Sequence, residues 1–186
     1  MKSIRFDKRK LRTLTPTKDP FASLARSIIF QQLSTKSATS IYNKFVALFP
    51  KKKFPKPKDV LKLSDTKFKS AGVSPQKISY LRDLAKKFTD GTVKHRHLHK
   101  MTEIEIREHL IKIKGIGPWT IDMFLIFALN RPDILPVGDL GIMKGFQKIF
   151  GLKKLPSQRT MERLAKPYAG KRTYLSLHLW QSLDGY

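Results

Sequence analysis

Leu110-Ile-Lys-Ile-Lys-Gly115-Ile-Gly-Pro-Trp-Thr120 sets two glycines around one apolar residue, between two segments of helical period. Glycine on both sides of a turn lets the backbone come close to another chain. The amides that open the following helix then face outward, where they can hold a phosphate oxygen. Ile116, between the glycines, is suited to pin the turn into a core. A simpler description also fits, a helix C-cap followed by a turn. A G-x-G on its own does not choose between the two.

Working outward, the segment before the turn opens with Thr102-Glu-Ile-Glu105, a capping box in which the threonine oxygen takes the third amide and the glutamate reaches back. It predicts a helix to about Lys112. After the turn Pro118 starts another, with Ile121, Phe124, Leu125 and Ala128 on one face. Upstream, Asp19-Pro20 reads as an N-cap and first helical residue, followed by Phe21, Leu24, Ala25, Ile28 and Ile29 at helical spacing. A break at Gln31–Ser34 leads to a helix with Ala38, Ile41, Tyr42 and Phe45 inward.

Three prolines between Pro50 and Lys58 impose a loop. Helices are expected over 58–63, 65–71 and 75–89, the last with Ile78, Leu81, Ala85 and Phe88 inward and Asp90-Gly91 as its stop. Residues 91–101 form a basic connector and the expected boundary between lobes. Asn130–Gly138 reads as a loop, followed by helices over about 140–150, 157–166 and 171–183. No segment alternates with the period of two that a strand requires. The fold class is therefore all-α: a basic lead-in over 1–18, then one domain over 19–184 with two helical lobes flanking a cleft.

The charge is unusual. Lys and Arg number 38 against 14 Asp and Glu, a net charge of +24 on 186 residues. Such an excess repels itself and points to a polyanionic partner. Nucleic acid is the first candidate, because each Lys or Arg set against a phosphate releases counterions. No run approaches the roughly 18 apolar residues that span a bilayer, and the N-terminus has no stretch of signal-peptide length. Cysteine is absent, which excludes disulfides, thiolate zinc fingers and cysteine-ligated clusters. An intracellular protein is expected, in the cytoplasm or nucleoid, or in the nucleus of a eukaryote.

Asp139 stands in Ile134-Leu-Pro-Val-Gly-Asp-Leu-Gly-Ile-Met143, just before a helix. Aspartate there is an ordinary N-cap. It is also suited to chemistry, since the amides of a helix start hold a carboxylate in a fixed place. Taken with its neighbours it resembles more. Residues 110–124 resemble the hairpin of the helix-hairpin-helix DNA glycosylase superfamily, and 134–143 its catalytic-aspartate loop. Ser27-Ile-Ile-Phe-Gln-Gln-Leu-Ser-Thr35 is similar to the family's I-I-x-Q-Q-x-S entry segment, and Arg172-Thr-Tyr174 with Trp180 to its C-terminal helix. The resemblance covers about residues 19–184 and is greatest to the 3-methyladenine DNA glycosylases.

The resemblance implies a monofunctional glycosylase that flips alkylated purines (3-methyladenine, 7-methylguanine) from duplex DNA and cuts their N-glycosidic bond, with Asp139 as the catalytic carboxylate. Lys114, Gly115, Ile116, Gly117 and Thr120 would meet DNA. Gln32 or Leu33 would fill the space left by the flipped base. Relatives that also cut the strand carry a lysine two residues after the second glycine; here Trp119 stands there, so no lyase step is expected. Trp119 would serve the base pocket, its ring face attracting a cationic purine, or else pack in the core. Phe30, Tyr42 and Met123 are further pocket candidates. A Na+ or K+ ion at the hairpin carbonyls is implied, and otherwise no cofactor or metal; the partner is damaged double-stranded DNA and the state a monomer.

Two alternatives stay open: the same fold acting on hypoxanthine, ethenoadenine or an oxidised purine, and a non-catalytic DNA-binding protein that uses only the hairpin. One departure from the family is Lys171 before Arg172-Thr173, where an aromatic is usual, which leaves the far wall of the pocket undefined. His95, His97 and His99 alternate with other residues and read as a basic connector rather than a metal site. Asp122, Asp133 and Asp184 read as solvated or capping residues, and Trp180 as core.

Overall fold

The computed structural model describes residues 16–50 and 54–183. Most of the basic lead-in, Lys51–Lys53 and Asp184 lie outside them. Among the described residues all regular structure is helical.

The described residues divide into two compact units, Thr17–Ile121 and, with Pro16, residues 122–183. The first holds α1 (Pro20–Phe30), α2 (Thr35–Ala47), α3 (Pro57–Lys62), α4 (Asp65–Ser70), α5 (Pro75–Thr89) and α6 (Glu103–Leu110). The expected lobe boundary at 91–101 falls inside this unit, where Val93 and Leu98 are buried. The division comes instead within α7 (Pro118–Met123).

Local rules place these helices well. Asp19 caps α1 through Ala22 N, and the Thr102–Glu105 capping box forms in full at α6. Ser34, Ser64 and Ser74 cap α2, α4 and α5. The inward stripe of α5, Ile78, Leu81, Leu84, Ala85 and Phe88, is buried, and α5 packs on α1, α3 and α4. Phe45 stacks on Phe68 at 5.9 Å and Phe21 meets Phe88 at 5.4 Å. Each such side chain contributes about 1.5–3 kcal/mol of burial.

The helix after Pro118 differs from expectation. From Phe124 to Ala128 it widens into a π-helical turn, closed by Leu129 N–H donating to Phe124 O at 3.1 Å. Phe124, Leu125 and Ala128 are buried as the periodicity implied, Ile126 joins them, and Phe127 is left 45% exposed. Asn130, at φ 53°, ends the segment.

The second unit continues with α8 (Leu140–Phe150), α9 (Gln158–Ala165) and α10 (Arg172–Gln181). α8 and α10 pack together around Ile142, Phe146, Leu175 and Leu179, all fully buried. α8 ends on Gly151 in the left-handed region, φ 63°, the usual glycine stop.

Candidate active site and nucleic-acid interface

In the first unit the hairpin turns at Gly115, whose φ of +77° favours glycine. A Cβ there would lie 2.2 Å from Cδ2 of Tyr80, so the ring sits directly against the bare Cα. Ile116 is 3% exposed and its N–H donates to Ile113 O at 3.1 Å, pinning the turn as its sequence implied. Gly117 is different: a Cβ there would meet nothing within 4 Å, so the turn is open on that side. Gln31 ties the hairpin to the end of α1, its Nε2 donating to Gly115 O at 2.8 Å and to Thr120 Oγ1 at 3.3 Å. Thr120 is 4% exposed, so its hydroxyl is held inside the unit. Lys114 is exposed, and its backbone N–H donates to Asp83 Oδ2 at 2.8 Å.

The turn between α1 and α2 carries the two wedge candidates. Gln32 is exposed and adopts φ +55°, a conformation that costs a non-glycine residue about 1–2 kcal/mol. Leu33 is 41% exposed. The turn is fastened from α5 by Lys77, whose Nζ donates to Ile29 O at 2.7 Å and Gln31 O at 2.9 Å. Burial pushes the Lys77 ammonium below its ordinary pKa.

Among the pocket candidates, the structure brings Phe30 and Tyr42 together edge to face at 6.2 Å, with the Arg26 guanidinium 3.9 Å above the Phe30 ring. Burial raises the Tyr42 hydroxyl pKa, with Arg26 opposing and Asp19 adding to the shift. Trp119 projects from α7 and is 46% exposed, so it is not a core residue. Met123 is half-buried on the same helix.

In the second unit Asp139 caps α8, its Oδ1 accepting from Ile142 N–H at 2.8 Å. The same oxygen accepts from the Trp180 indole Nε1–H at 2.9 Å. Cap and functional carboxylate are thus compatible descriptions of one residue. The indole reaches it because Gly141 lies between: a Cβ there would be 2.9 Å from Trp180 Cδ1 and 3.0 Å from Asp139 Oδ1. Trp180 is 8% exposed and stacks on Phe127 at 5.8 Å.

The loop leading to Asp139 is laced to the first two turns of α10. Arg172 donates from Nε and Nη2 to the two oxygens of Asp133, at 2.7 and 2.6 Å, and from its backbone N–H to Oδ1 at 3.1 Å. Thr173 donates to Arg131 O and accepts from Ile134 N–H. Ser176 Oγ donates to Ile134 O. The hydrogen bonds from the Arg172 side chain, opposed by desolvation, hold the Asp133 carboxyl below its usual range.

A profile described as HhH-GPD superfamily base excision DNA repair protein matches residues 25–169. The chain belongs to this superfamily. It is 32% identical over 166 residues, 89% of this chain and 73% of the relative, to DNA-3-methyladenine glycosylase 1 of Schizosaccharomyces pombe. The solved structure of that fission-yeast 3-methyladenine DNA glycosylase in complex with abasic DNA superposes with a TM-score of 0.82 at 31% identity, covering 97% of this chain and 89% of that one. DNA-3-methyladenine glycosidase of Bacillus halodurans superposes at 0.84 with 33% identity, covering 94% and 80%.

Four residues of this HhH-GPD protein escaped the reading of its sequence. Asp133, read as solvated or capping, takes the first amide of α10 and pairs with Arg172, far along the chain. Asp122 is buried, at 8% exposure. Asp83 and Lys77 stand on a helix whose apolar stripe alone was legible. Apart from the four-residue step from Asp83 to Lys87, no local pattern joins Asp83, Lys77 or Asp133 to the partners the structure gives them.

Proposed function

We propose that the chain is a monofunctional DNA glycosylase that excises alkylated purines of the 3-methyladenine and 7-methylguanine type from duplex DNA, beginning base excision repair. The observation that carries this reading is the anchorage of Asp139, a carboxylate held by two donors in the loop that follows the hairpin of an HhH-GPD chain. The names of the relatives give the substrate class.

Such an enzyme takes the nucleotide out of the stack, at a cost of a few kcal/mol. Gln32 or Leu33, both outward on the α1–α2 turn, would fill the vacated space. Cleavage of the N-glycosidic bond leaves an oxocarbenium-like sugar. Asp139 near C1′ would stabilise the developing positive charge and orient or deprotonate the attacking water. An exposed Trp119 suits recognition of a cationic base by its ring face, at about 0.5–2 kcal/mol. With Trp119 in the position where lyase relatives carry lysine, the reaction would end at an abasic site. Lys114, Gly115, Ile116, Gly117 and Thr120 form the hairpin that would meet the phosphates, with the Ile116 and Thr120 side chains buried behind it.

The hairpin carbonyls, neutral hard oxygens, suit a monovalent cation, which would add positive charge beside a phosphate. We place the enzyme inside the cell, where its DNA is, and as a monomer.

The test is release of bases from methylated duplex DNA by wild type and Asp139→Asn. Asparagine preserves the cap, so a loss of about 10²–10³-fold in rate with little change in stability is expected. Equal rates would sink the catalytic assignment, and borohydride trapping of a protein–DNA adduct would contradict the monofunctional one.

A further inference from the structure

Beyond its buried stripe, α5 carries a second, polar one. Lys77, Tyr80, Asp83 and Lys87 recur at three- and four-residue steps, which sets them along one side of the helix. Lys77 fastens the α1–α2 turn, and the Tyr80 ring lies against Gly115. Asp83 and Lys87 form an ion pair of 2.6 Å, with side chains only 15% and 20% exposed. Each also grips the hairpin backbone: Asp83 Oδ2 accepts from Lys114 N–H at 2.8 Å, and Lys87 Nζ donates to Lys112 O at 2.5 Å. An ordinary helix-surface pair of this spacing has no reason to reach another segment. Here the acid takes a hairpin donor and the base a hairpin acceptor, two positions apart.

We infer that Asp83 and Lys87 are positioning residues for DNA binding: a two-pronged clamp that holds the 112–114 limb so that Gly115–Gly117 meets the phosphates in one fixed geometry. The inference rests on the reading of the hairpin as the DNA-contacting element. It makes a prediction of unusual sign. Removing an acid from a chain of net charge +24 should, by bulk electrostatics, tighten DNA binding. Loss of the clamp should weaken it.

The experiment measures Kd of the full chain for undamaged duplex DNA at one fixed salt concentration, with single-turnover base release at saturating DNA as the second readout. For Asp83→Ala a Kd rise of about tenfold or more is expected, the size of a charge-assisted hydrogen bond, with the release rate unchanged. Asp83→Asn keeps an acceptor for the Lys114 amide and should restore part of the affinity. Gly117→Ala is the control for the hairpin itself. If Gly117→Ala weakens binding while Asp83→Ala leaves Kd unchanged or lowers it, the clamp is overturned and the hairpin reading stands. If neither changes Kd, the hairpin reading fails and the clamp with it. Should Asp83→Ala not fold, Asp83→Asn decides: a raised Kd supports the clamp and an unchanged or lowered one overturns it.

Discussion

One oxygen of Asp139, Oδ1, takes two donors at once, the Ile142 amide at 2.8 Å and the Trp180 indole at 2.9 Å. The amide comes from the same helix start and the indole from another helix, so the carboxylate is fixed from two directions. Trp180→Phe keeps a ring to stack on Phe127 and removes the donor together with part of the indole's volume. A hydrogen bond to a charged group contributes about 1.5–3 kcal/mol, so base release at saturating DNA should fall about tenfold or more. DNA affinity should stay at the wild-type value. Equal release rates would show that the amide alone suffices.

Gly115→Ala meets two obstacles, a left-handed φ and the Tyr80 ring. Melting should move down by about 2–8 °C, the left-handed strain alone costing about 1–2 kcal/mol. Adding Tyr80→Ser frees the space without altering φ. The double variant should therefore lie closer to Tyr80→Ser alone than additivity allows. Strict additivity would mean that the ring is not the obstacle.

The Arg172–Asp133 pair makes stability depend on pH in a defined direction. Asp133 has a depressed folded pKa, with the Arg172 hydrogen bonds as its leading cause. Its stabilisation is therefore present above the unfolded carboxylate value of about 3.9 and is lost as pH falls through the lower folded value. With side chains 38% and 24% exposed, solvent screens the pair, and about 1 kcal/mol is expected rather than the value of a buried pair. The difference in melting temperature between wild type and Arg172→Met should hold steady near neutrality and shrink in acid. A difference that persists undiminished to the lowest pH would refute the assignment.

Trp119→Ala tests an exposed ring. At 46% exposure its loss should change stability by no more than about 0.5 kcal/mol. Excision of a cationic 7-methylguanine should slow by about 2- to 30-fold, and excision of neutral hypoxanthine by less. Equal losses on both bases would remove the cation preference, and a large drop in melting temperature would return Trp119 to a packing role.

Much of the fold was legible because its signals are local. The capping box at Thr102, the Asp19-Pro20 start and the stripe of α5 each lie within a few residues of the structure they specify. The π-helical turn was not legible, because the run from Phe124 to Ala128 is apolar almost all round and reads alike at either pitch. For the candidate site, the residues that touch substrate in the resemblance could be named, and those that hold them could not. Asp139 announced itself as a cap, but the indole that shares its oxygen lies on another helix. Asp83 and Asp133 act on backbone atoms remote in sequence, and backbone atoms leave no trace in residue type.

Gly141 and Gly145 strip one side of α8 of side chains. Added Cβ atoms would come within 2.9 Å of Trp180 Cδ1 and 2.8 Å of the Leu179 carbonyl oxygen. At these two positions α10 is thus seated against bare backbone, with no side chain between. A gap the width of one methyl group parts indole from carboxylate while leaving nearly all helical hydrogen bonds intact. Local opening of this kind lies below global unfolding in free energy. Warming should therefore switch the reaction off, reversibly, several degrees before circular dichroism records any loss of helix.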